Sequence, residues 1–151
     1  MATAHQVKSF VRHWLYEVDD HSVHSPYFYD LYTKLIARRH PHDLPAMEDL
    51  RRELEHNKTV LQVEDFGSGV NGKKTVSRTI GEIARTSLTP YRQAMFYLDL
   101  LYHANAKRVV ELGTSLGLTT LYLAQKKDVE VFTFEGSHAI ANVALTNFEW
   151  A

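Results

Sequence analysis

Apolar residues over the first hundred positions recur mainly at helical spacing. Val7, Phe10, Val11, Trp14, Leu15 and Val18 fall on one face of a first predicted helix. Thr3 and Gln6 stand ahead of it at capping-box spacing, and Asp19, Asp20, His21 and Ser22 break it. Ser25 and Pro26 predict a second start, with Ser25 as cap and Pro26 in the first turn. Phe28, Leu31, Tyr32, Leu35 and Ile36 form its stripe. A third, mostly polar helix is predicted near Ala46 to His56. It offers only Met47, Leu50 and Leu54 to a core, so a surface position is expected. Val60 to Phe66 predicts a short extended segment. Helical spacing resumes with Val76, Ile80, Ile83 and Ala84. Another helix starts at Thr89 and Pro90, with Ala94, Met95, Leu98, Leu101 and Tyr102 apolar.

The pattern changes at Arg108. Val109, Val110 and Leu112 suit a buried strand of a parallel sheet. Gly113 ends it, where a sharp turn is cheapest without a Cβ. Ser115 is expected to cap the next helix, and Gly117 to let that helix pack close to the sheet. Leu118, Leu121, Tyr122 and Ala124 then recur at helical spacing. Val129 to Phe134 reads as a second strand, ending in Glu135 and Gly136. An acid roughly twenty residues after a glycine turn is where nucleotide-binding units place a ribose ligand. A last helix is expected from about His138 to Phe148.

The glycine spacing narrows the cofactor. A dinucleotide fingerprint has a second glycine that lets the backbone touch a pyrophosphate. Ser115 holds that place here, which argues against a pyrophosphate and leaves room for a cofactor with a ribose but no phosphate. At these residues the chain resembles class I S-adenosylmethionine-dependent methyltransferases of the O-methyltransferase-like kind. Glu111 to Ala124 is similar to their first motif, and Thr133 to Ser137 to their second. The resemblance covers the last third of the chain. It implies that Glu111, Gly113, Thr114, Ser115 and Gly117 face the methionine and ribose parts of S-adenosylmethionine. It implies that Glu135, followed by Gly136, accepts hydrogen bonds from the ribose hydroxyls, and that a small molecule is the methyl acceptor. The expected fold is α/β: a helical lead-in over residues 1–105, then over 106–151 the first strand–helix–strand–helix half of a Rossmann-like methyltransferase fold, its sheet incomplete.

Composition excludes some partners. The net charge is −1, so no global field draws nucleic acid or an anionic membrane. The chain has no cysteine, which fits a cytoplasmic protein. No signal-like start and no apolar run of ~18 residues is present.

Three other motifs compete. Gly67 to Lys73 matches most of a phosphate-cradling loop, but Lys74 stands where a hydroxyl should hold magnesium. In O-methyltransferase-like relatives the segment before the core folds over the pocket, so Asp65, Ser68 and these glycines are also read as a lid. His21 and His24 near Asp19 and Asp20, and His40 and His42, are too loosely arranged for a metal centre, and none is expected. Arg38 with Arg39 and Arg51 with Arg52 read as solvated charge among glutamates, and Tyr27, Tyr29 and Tyr32 as the rim of a core.

The sequence stops where such a sheet is half built. A truncated, inactive piece of a methyltransferase is therefore expected, with a non-catalytic cofactor-binding or assembly module as the alternative. The outer edge of the strand at Arg108 to Leu112 would be open, and open apolar edges seek partners, so a homo-oligomer through that edge is expected.

Overall fold

The computed structural model describes residues 4–16, 25–36, 44–64 and 75–150. The protein is mixed α/β, with seven α-helices, one π-helical segment and two two-stranded sheets among the described residues. The chain divides into two compact units, Met1–Arg39 and His40–Ala151. The first holds α1 (Ala4–Leu15), α2 (Pro26–Leu31) and the π-helical segment Tyr32–Ile36. Ser25 caps α2, its hydroxyl accepting from the Phe28 amide at 3.5 Å, with Pro26 in the first turn as expected. Val7, Phe10, Val11 and Leu15 of α1 are all exposed. Thr3, the break at residues 19–22, the loop at 65–74 and the histidines at 21, 24, 40 and 42 lie outside the described residues.

The second unit opens with α3 (Pro45–His56), β1 (Val60–Glu64) and β2 (Thr75–Thr79). β1 and β2 pair antiparallel, Val60 opposite Thr79 and Glu64 opposite Thr75. Val76 therefore lies in a strand, against the helical reading of the sequence. Only Thr75, Val76 and Ser77 alternate polar and apolar at period two, pairing with β1 sets the rest of the strand, and the helix signal begins only at the capping box. There the Thr79 hydroxyl accepts from the Glu82 amide at 3.1 Å, and Glu82 returns a bond to the Thr79 amide at 2.8 Å. α4 (Ile80–Ser87) follows from that cap, then α5 (Tyr91–His103).

β3 (Arg108–Leu112), α6 (Leu118–Leu123) and β4 (Glu130–Phe134) form a parallel strand–helix–strand unit, and α7 (His138–Trp150) closes the chain. β3 and β4 pair in register, Arg108 with Glu130, Val110 with Phe132 and Leu112 with Phe134. One core joins the elements. Met47, Leu50 and Leu54 of α3 pack with Ile80 and Ile83 of α4, Met95 and Leu98 of α5, and Leu118 and Tyr122 of α6. The polar third helix is thus a core-forming one: spacing of three and four along α3 puts its few apolar residues on one buried stripe.

Candidate functional site

The site is built where β3 and β4 end. Past Leu112 the ladder tightens. The Phe134 carbonyl accepts from both the Gly113 amide at 2.8 Å and the Thr114 amide at 3.1 Å. That turn needs φ of +94° at Gly113, a conformation side chains rarely adopt, and among the described residues nothing lies within 4 Å of where a Cβ would stand. The glycine is required by its backbone angle, and no described residue fills the space beside it.

Thr114 is buried. Its hydroxyl lies 2.5 Å from that of Thr133, which donates to the Glu111 carboxylate at 2.6 Å. Thr133 has one proton to give, so Thr114 is the donor to Thr133. Thr120 of α6 donates to the same Glu111 oxygen at 2.5 Å. Glu111 is thus held by two threonines on the sheet face that α6 covers.

Ser115 also has positive φ, +51°. Its amide donates to Oε2 of Glu135 at 2.8 Å, across twenty residues of sequence. Oε1 of Glu135 accepts from the Ser137 amide at 3.0 Å. The carboxylate therefore joins the glycine turn to the start of α7. The hydroxyls of Ser115 and Ser137 are buried and have no hydrogen-bond partner among the described residues. Gly136, between Glu135 and Ser137, is exposed.

Two local expectations are corrected. Ser115 does not cap α6: Gly117 occupies the N-cap at φ +83°, without a side-chain bond. Gly117 also does not serve close packing on the sheet. A Cβ there would meet the Phe148 ring at 2.6 Å and the Ala144 Cβ at 3.2 Å, both on α7. Asn147 of α7 braces the same turn, donating to the Leu116 carbonyl at 2.8 Å.

Sequence reasoning missed Glu64. Its Oε2 accepts from the His138 amide at 3.2 Å, so a residue 74 positions away meets the first turn of α7. An anion at a helix N-terminus is favourable. The only sequence signal was an acid at the end of an extended segment.

Arg52 is solvated charge paired with Asp49 as expected, but Arg51 is not: its side chain is largely buried, paired with Glu48 and donating to the Thr89 carbonyl at 2.7 Å. Among the described residues no cluster of histidine and acid side chains is arranged to hold a metal, and no helix is long and apolar enough to cross a membrane.

The arrangement suits a ligand that carries adjacent hydroxyls. Glu135 uses one acceptor position on each oxygen and keeps others, since a carboxylate offers about four lone-pair sites. Open space adjoins it at Gly113, and two buried hydroxyls stand without partners on the residues whose amides it binds. No protein-family model, curated protein or solved structure matches this chain.

Proposed function

We propose that the strand–turn–helix–strand unit is the first half of a Rossmann-like cofactor site that binds S-adenosylmethionine, and that the protein is a methyltransferase acting on an oxygen or nitrogen of a small molecule. The observation that carries this reading is Glu135. It stands at the end of β4, is seated on the Ser115 amide of the glycine turn, and has spare acceptor capacity beside the open space at Gly113. Two vicinal ribose hydroxyls are the donors such a carboxylate suits. The unpartnered Ser115 and Ser137 hydroxyls add polar contacts for the same ligand. When bound, that cofactor supplies a methyl group on a positively charged sulfur. The chain's part is to hold it in line with the acceptor. Thr114 and Glu111 act behind the turn, tying it to the sheet. Cytoplasmic location belongs to the same reading, supported by the cysteine-free composition.

Titration calorimetry of the full chain with S-adenosylhomocysteine tests it, with magnesium-ATP as the control for a phosphate-loop protein. Heat with the first ligand alone supports the reading. Heat with ATP alone replaces it. The alternative, a non-catalytic cofactor-binding or assembly module, is favoured by the bare apolar face of the β3–β4 sheet. Methyl transfer from labelled cofactor to a panel of phenols and amines separates the two.

A further inference from the structure

The β3–β4 sheet has two unlike faces. Val109, Glu111, Val131 and Thr133 are half-buried on one, where α6 reaches Glu111 through Thr120. The other face carries Val110 at 65% exposure, Leu112 at 83%, Phe132 at 47% and Phe134 at 59%. Parallel sheets are normally covered on both faces. A contiguous bare patch of this composition marks an interaction surface.

We infer that this face packs against the same face of a second copy, about a twofold axis running along the strands. Such an axis reverses left and right but keeps strand direction, so β3 of one copy lies over β4 of the other. The in-sheet register then becomes the register across the interface. Val110 sits against the partner's Phe132, and Leu112 against the partner's Phe134. Each smaller side chain meets a larger one, as interdigitating layers require. At the strand starts, exposed Arg108 meets the partner's Glu130, and Glu130 meets the partner's Arg108. Every contact is made twice, which is the condition for an isologous interface.

The perpendicular twofold fails this comparison. It would lay each strand antiparallel on its own copy, setting Arg108 on the partner's Leu112 and Glu130 on the partner's Phe134. Both charges would then be covered by apolar groups of the partner instead of meeting an opposite charge across the interface. Strands of five residues also tolerate the ~30° rotation usual between aligned sheets, because divergence is small over so short a length.

The area fits. Taking roughly 150–200 Å² for each fully exposed large side chain, the four apolar residues offer roughly 450 Å² per copy, hence roughly 900 Å² for the pair. Arg108, Glu130 and the flanking backbone bring this into the range of about 1,200 Å² at which specific interfaces begin. The face thus differs from the strand edge to which sequence alone points: the edge offers unpaired backbone, whereas the face offers matched side chains. Leu112 and Phe134 immediately precede Gly113 and Glu135, so the axis sets the two glycine turns at one end of the dimer.

Sedimentation equilibrium on the full chain tests the inference. Wild type is expected to be dimeric at high micromolar concentration, and Phe132→Asp monomeric. Arg108→Glu or Glu130→Arg alone weakens dimerisation at least ~10-fold by like-charge contact. The double exchange Arg108→Glu with Glu130→Arg returns it to within ~3-fold of wild type. All three positions are exposed in the single chain, and circular dichroism checks that each variant stays folded. A monomeric wild type overturns the proposal. So does a dimer indifferent to Phe132→Asp, which would place the contact at the strand edge or elsewhere. Failure of the double exchange to restore what each single exchange loses overturns the axis assigned here.

Discussion

The Glu135 carboxylate and the Ser115 amide are joined by a 2.8 Å hydrogen bond, the acid from the end of one strand and the amide from the turn after the other. This bond makes the turn and the candidate ligand contact one object. Ser115 sits at φ +51°, a backbone state that costs of order 1–3 kcal/mol and persists only where surroundings over-determine it. Glu135 supplies part of that determination, so its removal acts on both shape and chemistry.

Glu135→Ala is therefore expected to weaken S-adenosylhomocysteine at least tenfold, since hydrogen bonds to a charged group contribute about 1.5–3 kcal/mol. Glu135→Gln keeps an acceptor for the Ser115 amide and isolates the effect of charge. Calorimetry on the pair reads both. Equal affinity in wild type and Glu135→Ala would remove this acid from the site.

Gly113→Val is expected to lose binding and ~1–3 kcal/mol of stability, both traced to φ of +94° at an otherwise open position. Gly113→Asn is the informative companion, because asparagine tolerates positive φ better than a β-branched residue. Urea unfolding should rank the three glycine > asparagine > valine. An equal loss for asparagine and valine would mean that bulk, not backbone angle, sets the cost.

Gly117 is constrained differently, by the Phe148 ring 2.6 Å from the position of an added Cβ as well as by φ of +83°. Gly117→Ala should destabilise more in the presence of Phe148 than in a Phe148→Ala background. The ring clash vanishes in that background, while the Ala144 Cβ at 3.2 Å and the angular part remain. A coupling of ~0.5–3 kcal/mol is expected from the double-mutant cycle. Strict additivity would show that the ring swings aside at no cost.

The local elements were largely legible in the sequence because their signals are local. Ser25 with Pro26, and the apolar runs at Arg108 to Leu112 and Val129 to Phe134, each state their own geometry, although Val110 and Leu112, expected in a buried strand, are exposed because nothing among the described residues covers that face. Val76 was misread because three residues of period-two alternation lie inside a longer stretch that also fits period 3.6, and only the capping pair Thr79 and Glu82 shows where the helix starts. The candidate site was legible up to its chain-neighbour contacts. Glu135 could be placed by its distance from the turn. Glu64 could not, because nothing in a sequence reports that β1 ends beside α7. The role of Gly117 was missed for the same reason: Phe148 is 31 positions away, and close approach leaves no periodic trace.

Tyr122 tests the core beneath α6. Its hydroxyl donates to Glu48 at 2.5 Å, and burial, reinforced by that carboxylate, holds its pKa well above the ordinary 10. An ultraviolet titration of the folded protein should show a tyrosine that stays protonated well above pH 10. Tyr122→Phe should remove that silent group and cost ~1.5–3 kcal/mol in urea unfolding, as for a hydrogen bond to a charged acceptor. If every tyrosine ionises near pH 10 in the folded protein, the Glu48 contact is not maintained in solution.

Asp128 gives the pH dependence. It accepts from Lys107 and Lys126, and these bonds lower its pKa from the usual 3.8 to about 2. A carboxyl lowered on folding means the unfolded chain binds more protons between those values, so stability rises with pH there. The contribution is whole above about pH 4 and is lost as pH falls through about 2. Because Asp128 and Lys107 are exposed, salt should shrink it. Lys126 is almost wholly buried, pairs with Asp128 and lies over the Tyr102 ring at 5.9 Å, so salt screens that pair less than the exposed one with Lys107. Acid unfolding of wild type and Asp128→Asn at low ionic strength should therefore give curves that are furthest apart above pH 4 and converge towards pH 2. Addition of about 1 M salt should narrow the gap. Curves that stay parallel down to pH 2 would show that Asp128 titrates alike in the folded and unfolded chain.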